Sequence, residues 1–157
     1  MSAAAGIVHD VDAESLWVVR DRIRFKGELA GTELSVLEVD VPPGSGTPPH
    51  VHSSPEIFRV LDGEVTFGLI DGDSPSSVVA GVGTVVTVPS RLPHSYRNDS
   101  RRPARLLVVV ERSMVRFFRE LGKAEAPPAG PPSETEIAEV MAACVRHDIR
   151  ILGGAPA

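Results

Sequence analysis

A series of short alternating segments, separated by turn-forming residues, constrains the fold most. In residues 33–41 apolar or small side chains alternate with acidic ones, and the segment ends at Pro42-Pro43-Gly44. Further strand-like runs meet at Asp62-Gly63, where glycine readily takes the positive φ of a tight hairpin. Strands of this length at near-regular spacing predict an all-β fold, either a sandwich or a barrel.

Length and charge narrow the class of protein. The chain has 157 residues, one cysteine and a formal net charge of −5, and its length fits a single domain. Nucleic acid is not an expected partner, because phosphate binding requires a clustered basic surface. No apolar run approaches the roughly 18 residues of a membrane span. Residues 1–10 lack the pattern of a secretory signal, so we expect a cytoplasmic protein without a membrane partner.

The last third of the chain changes from a strand pattern to a helix pattern. Residues 115–121 predict one or two helical turns, and Ser133 and Glu136 have the spacing of a capping box. Apolar residues then recur at helical spacing, namely Ile137, Val140, Met141, Cys144 and Val145. We therefore expect a flexible arm over 1–15, a single β domain over 16–121, and over 122–157 a linker plus a helix packed on that domain.

Four residues have the spacing and chemistry of metal ligands. His50 and His52 point to the same side of an extended chain, and Glu56 follows after a short bend. His94 lies further along, just after a proline-containing turn. Three imidazoles and a carboxylate suit a divalent first-row metal. Such a set fills four positions of an octahedron and leaves two open for a substrate or O₂.

Two motifs around these residues resemble those of the cupin superfamily. The first, G-x5-H-x-H-x3-E-x6-G, runs from Gly44 to Gly63. The second, G-x5-P-x-R-x2-H-x3-N, runs from Gly83 to Asn98 and has Arg91 where cupins usually have glycine. The flanking segments resemble small single-domain cupins described as quercetin-dioxygenase-like.

The resemblance implies a single antiparallel cupin β-barrel, a jelly roll, to which the predicted C-terminal helix is added. It also implies one divalent transition metal per chain, either Fe, Mn, Ni, Co or Zn. By residue-to-residue match, the ligands would be His50, His52, Glu56 and His94. Similar cupins commonly form homodimers, so we expect a homodimer with residues around Leu16–Phe25 at or near the interface.

The predicted substrate pocket combines the barrel wall with the barrel mouth. Residues that share the strand parity of the predicted ligands face the interior, and a basic residue beside the mouth could hold an anionic substrate. The pocket residues are Phe58, Val60, Arg91 and Tyr96. The candidate catalytic residues are Glu56, as a base, and Tyr96, as a hydrogen-bond donor to a substrate oxygen.

Three functions stay open at this point. The first is a metal-dependent dioxygenase or other oxygenase that acts on a small enol or phenolic substrate, with O₂ as co-substrate; the resemblance supplies a flavonol-like molecule. The second is a non-oxidative cyclase, isomerase or lyase of a biosynthetic pathway, in which the same metal and base act without O₂. The third is a small-molecule-binding cupin without turnover. Fold alone does not decide among them.

Overall fold

Eleven β-strands form the body of residues 4–153, the part of the chain that the computed structural model describes. In chain order the strands are β1 Ser15–Val18, β2 Asp21–Glu28, β3 Leu34–Val41, β4 Gly46–Val51, β5 Glu56–Asp62, β6 Val65–Asp71, β7 Ser74–Ala80, β8 Val85–Val88, β9 His94–Arg97, β10 Ala104–Glu111 and β11 Arg150–Ile151. One sheet has the spatial order β1, β2, β3, β10, β5, β8, and the other β11, β4, β9, β6, β7.

The core lies between the two sheets. On β3 the predicted alternation holds, because Ser35, Leu37, Val39 and Val41 are buried while the residues between them are more exposed. Alternate residues of β10 are buried as well. All the pairings between the described strands are antiparallel. From β3 to β10, each connection except the one between β6 and β7 crosses from one sheet to the other. The predicted all-β barrel with a C-terminal helix is confirmed.

Two helices follow the barrel strands. The first, α1, spans Arg112–Leu121 and is longer than predicted, because it continues directly from the end of β10. The second, α2, spans Glu134–Arg146 and begins at the predicted capping box: Ser133 Oγ accepts from the Glu136 amide at 3.1 Å, and the Glu136 carboxylate accepts from the Ser133 amide at 2.7 Å. No helix among the described residues is long and apolar enough to cross a membrane.

The helix α2 lies at the mouth of the barrel. The strand β11 follows α2 and pairs with β4, with Ile151 opposite His50, so α2 is held at the end of the barrel that carries this histidine. Ile137, Val140 and Met141 consequently line the interior cavity. The predicted apolar stripe of α2 does not extend to Val145. This residue faces solvent and is 82% exposed.

The predicted arm is only partly described. Residues 1–3 lie outside the described part of the chain, as do residues 154–157 at the other end. Residues 4–12 are exposed, and Asp10–Asp12 form a single turn of 3-10 helix. Asp10 accepts a hydrogen bond from Lys26 of β2 at 3.0 Å, which joins this turn to the barrel.

Candidate metal centre

Three histidines converge inside the barrel. His50 on β4 and His94 on β9 are cross-strand partners, and their ring centroids are 4.3 Å apart. His52 follows the end of β4, with its ring centroid 5.1 Å from that of His50 and 4.8 Å from that of His94. One ligand atom from each of the three lies within 4.8 Å of the others. The pairing of β4 with β9 therefore brings His94 next to His50, although the two residues are far apart in the sequence.

Each histidine ring is oriented by a backbone carbonyl. The Nδ1 atoms of His50, His52 and His94 lie 2.8 Å from the carbonyl oxygens of Pro48, Ser54 and Leu92, respectively. A carbonyl only accepts, so Nδ1 carries the proton and each Nε2 faces the other rings. His52 Nε2 is buried and has no hydrogen-bond partner. A buried unpaired nitrogen is costly, and a metal ion would satisfy it.

Glu56 completes the cluster from the start of β5. Its Oε2 atom lies 3.0 Å from His94 Nε2, and its Oε1 atom lies 3.6 Å from His52 Nε2. The carboxylate is 6% exposed and thus largely withdrawn from water. All four residues that the sequence singled out as ligand candidates are brought together here, on three strands and one loop.

The protonation of the histidines follows from burial and from Glu56. Burial, assisted by the neighbouring His94, lowers the pKa of His50 to about 4, and burial also lowers the pKa of His52. Both are neutral at pH 7, the state that binds a metal. Burial also acts to lower the pKa of His94, but the hydrogen bond and negative charge of Glu56 outweigh it and raise that pKa overall.

These residues fit one divalent transition metal per chain. The donor set consists of three imidazole nitrogens and one carboxylate, which suits Fe, Mn, Ni, Co and Zn. The backbone carbonyls supply the outer hydrogen bonds that usually accompany metal-bound histidines. We propose that the ligands are the four converging side chains, His50, His52, Glu56 and His94.

A large cavity opens onto this cluster. It has a volume of about 1110 Å³ and is lined by both sheets, both helices and the proline-rich loop of residues 126–132. His50 and Glu56 form part of its wall, and so do Phe58 and Tyr96. This volume is slightly above the range of small-molecule sites, which is roughly 300–1,000 Å³.

Two predicted pocket residues do not line this cavity. Val60 is 1% exposed and packs within the apolar core further along β5. The Arg91 side chain is 62% exposed and lies 3.6 Å from Asp148 on the surface. The expectation that Arg91 lines the substrate pocket is corrected accordingly, because its exposed side chain lies beside Asp148 and outside the cavity wall.

The backbone conformation at Arg91 explains why the second cupin motif usually has glycine at this position. Arg91 has a φ of 64°, a conformation that glycine adopts without strain. Its amide donates to the carbonyl of His52 at 2.9 Å, which ties the turn before β9 to the loop after β4. The turn therefore helps to position His52 and His94 together even though glycine is replaced.

Asp21 is a cavity residue that sequence reasoning missed. It lies at the start of β2 and is 7% exposed, yet it forms part of the cavity wall. Its Oδ1 accepts from Ser45 Oγ at 2.6 Å, and its Oδ2 accepts from the Tyr96 hydroxyl at 2.5 Å. Burial raises the pKa of Asp21 to about 6 and, with the Asp21 charge, raises that of Tyr96 well above its usual value. The available signal was strand parity, which Asp21 shares with the inward-facing Ile23.

The barrel and its buried histidine cluster define a class, the metal-binding β-barrel proteins. Within this class, residues 37–110 match the family described as Cupin domain. This match confirms the resemblance of the two sequence motifs to the cupin superfamily.

The comparisons with individual proteins concern the barrel. The chain is 42% identical to Germin-like protein 5-1 of Oryza sativa subsp. japonica over 76 residues, which are 46% of this chain and 33% of that protein. An RmlC-like cupin of Shewanella frigidimarina is similar with a TM-score of 0.59 and 17% identity, over 71% of this chain and 94% of that one. An oxalate decarboxylase of B. subtilis gives a TM-score of 0.60 and 18% identity, over 71% of this chain and 30% of that one. The chain thus spans about a third of the length of the curated relative it matches.

Proposed function

We propose that the chain is a metal-dependent cupin enzyme that acts on a small, largely apolar enol or phenol, most simply as a dioxygenase. The observation that carries the proposal is the continuity of the cavity with His50 and Glu56. A substrate in the cavity would meet both a metal site and a carboxylate base. The flavonol-like character of the substrate rests on the resemblance to quercetin-dioxygenase-like cupins.

The charges around the cavity favour a neutral substrate. Arg20 and Arg97 are the arginines in the described cavity wall, and each is already paired with a carboxylate. All three guanidinium nitrogens of Arg20 are hydrogen-bonded, which leaves it no donor for a substrate carboxylate. Arg97 is exposed and bonds Asp99 through Nε. The rest of the wall is mainly aliphatic and aromatic, which favours an apolar frame.

In the proposed reaction, the metal, the carboxylate base and the aromatic wall have separate roles. A bound divalent metal supplies Lewis acidity that lowers the pKa of a substrate hydroxyl. Glu56, buried and facing the cavity, takes the proton that this hydroxyl releases. Phe58 and Tyr96 line the adjoining wall and limit the access of water to the reacting end.

A non-oxidative isomerase, cyclase or lyase is the second candidate, and the position of Asp21 favours it. Reactions that move a proton between two substrate atoms use one group to remove it and another to return it. Glu56 and Asp21 are two carboxyl groups on the wall of one cavity. O₂ consumption distinguishes this candidate from the dioxygenase, and ligand binding without turnover would indicate a binding protein.

Elemental analysis followed by oxygen-uptake measurements tests the proposal. The protein as purified should contain one divalent transition metal per chain, and the loaded protein should consume O₂ with 3-hydroxyflavone. His52→Ala should lose both metal and uptake, whereas the exposed His9→Ala should keep both. Conversion without O₂ uptake would replace the dioxygenase with the second candidate. Absence of metal from the parent would contradict the metal-dependent proposal.

A further inference from the structure

We propose that the Asp21 carboxylate, held in place by hydrogen bonds from Ser45 and Tyr96, is a second polar subsite that binds a distal hydroxyl group of the substrate. This inference rests on the proposed function and narrows the substrate class. The molecule would be an apolar enol or phenol with a further hydroxyl group at some distance from the reacting one.

The Asp21 carboxylate has unused capacity to accept hydrogen bonds. Each of its oxygens accepts one bond, from Ser45 or from Tyr96, whereas a carboxylate oxygen has two lone pairs. The carboxylate also lies on the cavity wall, so a ligand can reach it. A substrate hydroxyl is a donor and is the natural partner for such a group.

Among the described residues, no positively charged side chain pairs with Asp21 to offset the cost of burying its carboxylate. None of the ion pairs among residues 4–153 involves Asp21. Burial raises its pKa to about 6, so the group is still ionised at neutral pH. A buried carboxylate without a cation destabilises a fold, and such groups beside a cavity are concentrated at functional sites.

Tyr96 connects Asp21 to the strand that carries His94. Tyr96 and His94 occupy successive same-face positions on β9, which are roughly 7 Å apart along a strand. The Tyr96 ring lies 6.1 Å from the ring of Phe58 and 6.3 Å from that of Phe67, between centroids. Of these rings, Phe58 and Tyr96 line the cavity. An apolar frame in contact with them would have one oxygen near the histidines and another near Asp21.

Ligand binding to four proteins tests the subsite. The probes are 3-hydroxyflavone and derivatives of it that carry one further ring hydroxyl, and the proteins are the parent, Asp21→Asn, Tyr96→Phe and Asp73→Asn. Asp73 is an exposed aspartate on the turn after β6 and serves as the matched control. Metal content is measured on each protein, and dissociation constants are measured by calorimetry.

The parent should bind at least one hydroxylated derivative about tenfold more tightly than 3-hydroxyflavone, which corresponds to about 1.4 kcal/mol. Asp21→Asn should lose this preference and keep its metal, while Asp73→Asn should keep both. Tyr96→Phe frees Oδ2 from its internal donor and should increase the preference. If Asp21→Asn does not fold, this increase decides the question.

Three results would overturn the subsite. The first is equal binding of all probes by the parent; if 3-hydroxyflavone itself binds, the proposed function stands and only the subsite fails. The second is a preference that persists in Asp21→Asn or fails to increase in Tyr96→Phe, because either result removes Asp21 from the recognition of the hydroxyl. The third is a parent that contains metal but binds no probe, in which case the proposed enol or phenol substrate fails and the subsite fails with it.

Discussion

The guanidinium of Arg20 forms a two-pronged pair with Glu136, with Nη1 2.9 Å from Oε1 and Nη2 3.2 Å from Oε2. Arg20 also donates to the carbonyl oxygens of Gly130 at 2.8 Å and Pro131 at 3.1 Å. It lies between β1 and β2, while Glu136 lies in the first turn of α2. One side chain thus connects the barrel, the proline-rich loop and the helix beside the cavity.

Substitution of Arg20 should loosen the attachment of the proline-rich loop and of α2, which line the cavity, to the barrel. Arg20→Ala removes five charge-assisted hydrogen bonds at a partly buried position, so we expect a loss of about 1–3 kcal/mol in the free energy of unfolding. Limited proteolysis should cut residues 122–133 faster than in the parent. Arg101→Ala, an exposed control, should behave like the parent. Equal cleavage of all three proteins would show that Arg20 does not hold this segment.

The sequence predicted the features that depend on local spacing. Alternation identified the buried face of β3, Ser133 and Glu136 identified the start of α2, and motif spacing identified the histidines. Features that depend on distant contacts were missed. Arg20 meets Glu136 across 116 positions, and Asp21 meets Tyr96 across 75. No local pattern encodes either pair, so the charged residues at the start of β2 resembled an ordinary solvated strand.

Asp21 should make the stability of the protein depend on pH in a definite direction. Its pKa rises from a usual value of 3.8 to about 6 in the folded protein. Between these values the folded state keeps a proton that the unfolded state has released, so this group lowers stability as pH rises. The full effect is about 2–3 kcal/mol, reached above pH 6.

Urea denaturation of the parent and Asp21→Asn at pH 4, 5, 6 and 7 measures this effect. The variant lacks the titrating carboxyl, so its stability relative to the parent should increase by about 2–3 kcal/mol from pH 4 to pH 7. Both proteins contain the same histidines, so the effect of histidine titration cancels in the difference between their free energies of unfolding. A difference that stays constant with pH would contradict the raised pKa of Asp21.

Arg91 should be a site where glycine relieves strain. An L-residue in the left-handed region costs roughly 1–2 kcal/mol, and Arg91 has a φ of 64°. Glycine also increases the entropy of the unfolded chain by roughly 0.4–1 kcal/mol, so the net gain for Arg91→Gly should be about 0.5–1 kcal/mol. Arg91→Ala keeps the strain and removes the exposed contact with Asp148, so thermal unfolding should show no gain. An equal gain in both variants would attribute the effect to the side chain.

The expected homodimer is a further prediction. The strand β1 is an edge of the six-stranded sheet, and exposed edges favour pairing with another chain. Trp17 exchanges backbone hydrogen bonds with Lys123 at 2.8 and 2.9 Å, which covers part of that edge. Sedimentation at micromolar concentration should give about twice the chain mass of 16.7 kDa. Arg22→Glu should weaken the dimer at least tenfold, and Arg101→Glu should not; a monomeric parent would contradict the prediction.

The four proposed ligands should respond unequally to substitution. His52→Ala removes a buried nitrogen whose Nε2 has no other partner, so the variant should lose most of its metal and its activity. Glu56→Gln keeps the shape and one oxygen donor but removes the charge and the basicity. It should therefore retain part of the metal and lose about 100-fold or more in kcat/KM. Metal content and turnover must be measured on the same samples, with His9→Ala as control.

The two readouts separate the ligand assignment from the proposed chemistry. If Glu56→Gln turns over substrate like the parent, Glu56 is neither an essential ligand nor the base, and proton removal by Glu56 is contradicted while the metal site stands. If His52→Ala keeps full metal occupancy, the ligand assignment itself is contradicted. The enzyme proposal would then fail with it, because His50 and Glu56, through which the cavity meets the proposed metal site, belong to the same cluster as His52.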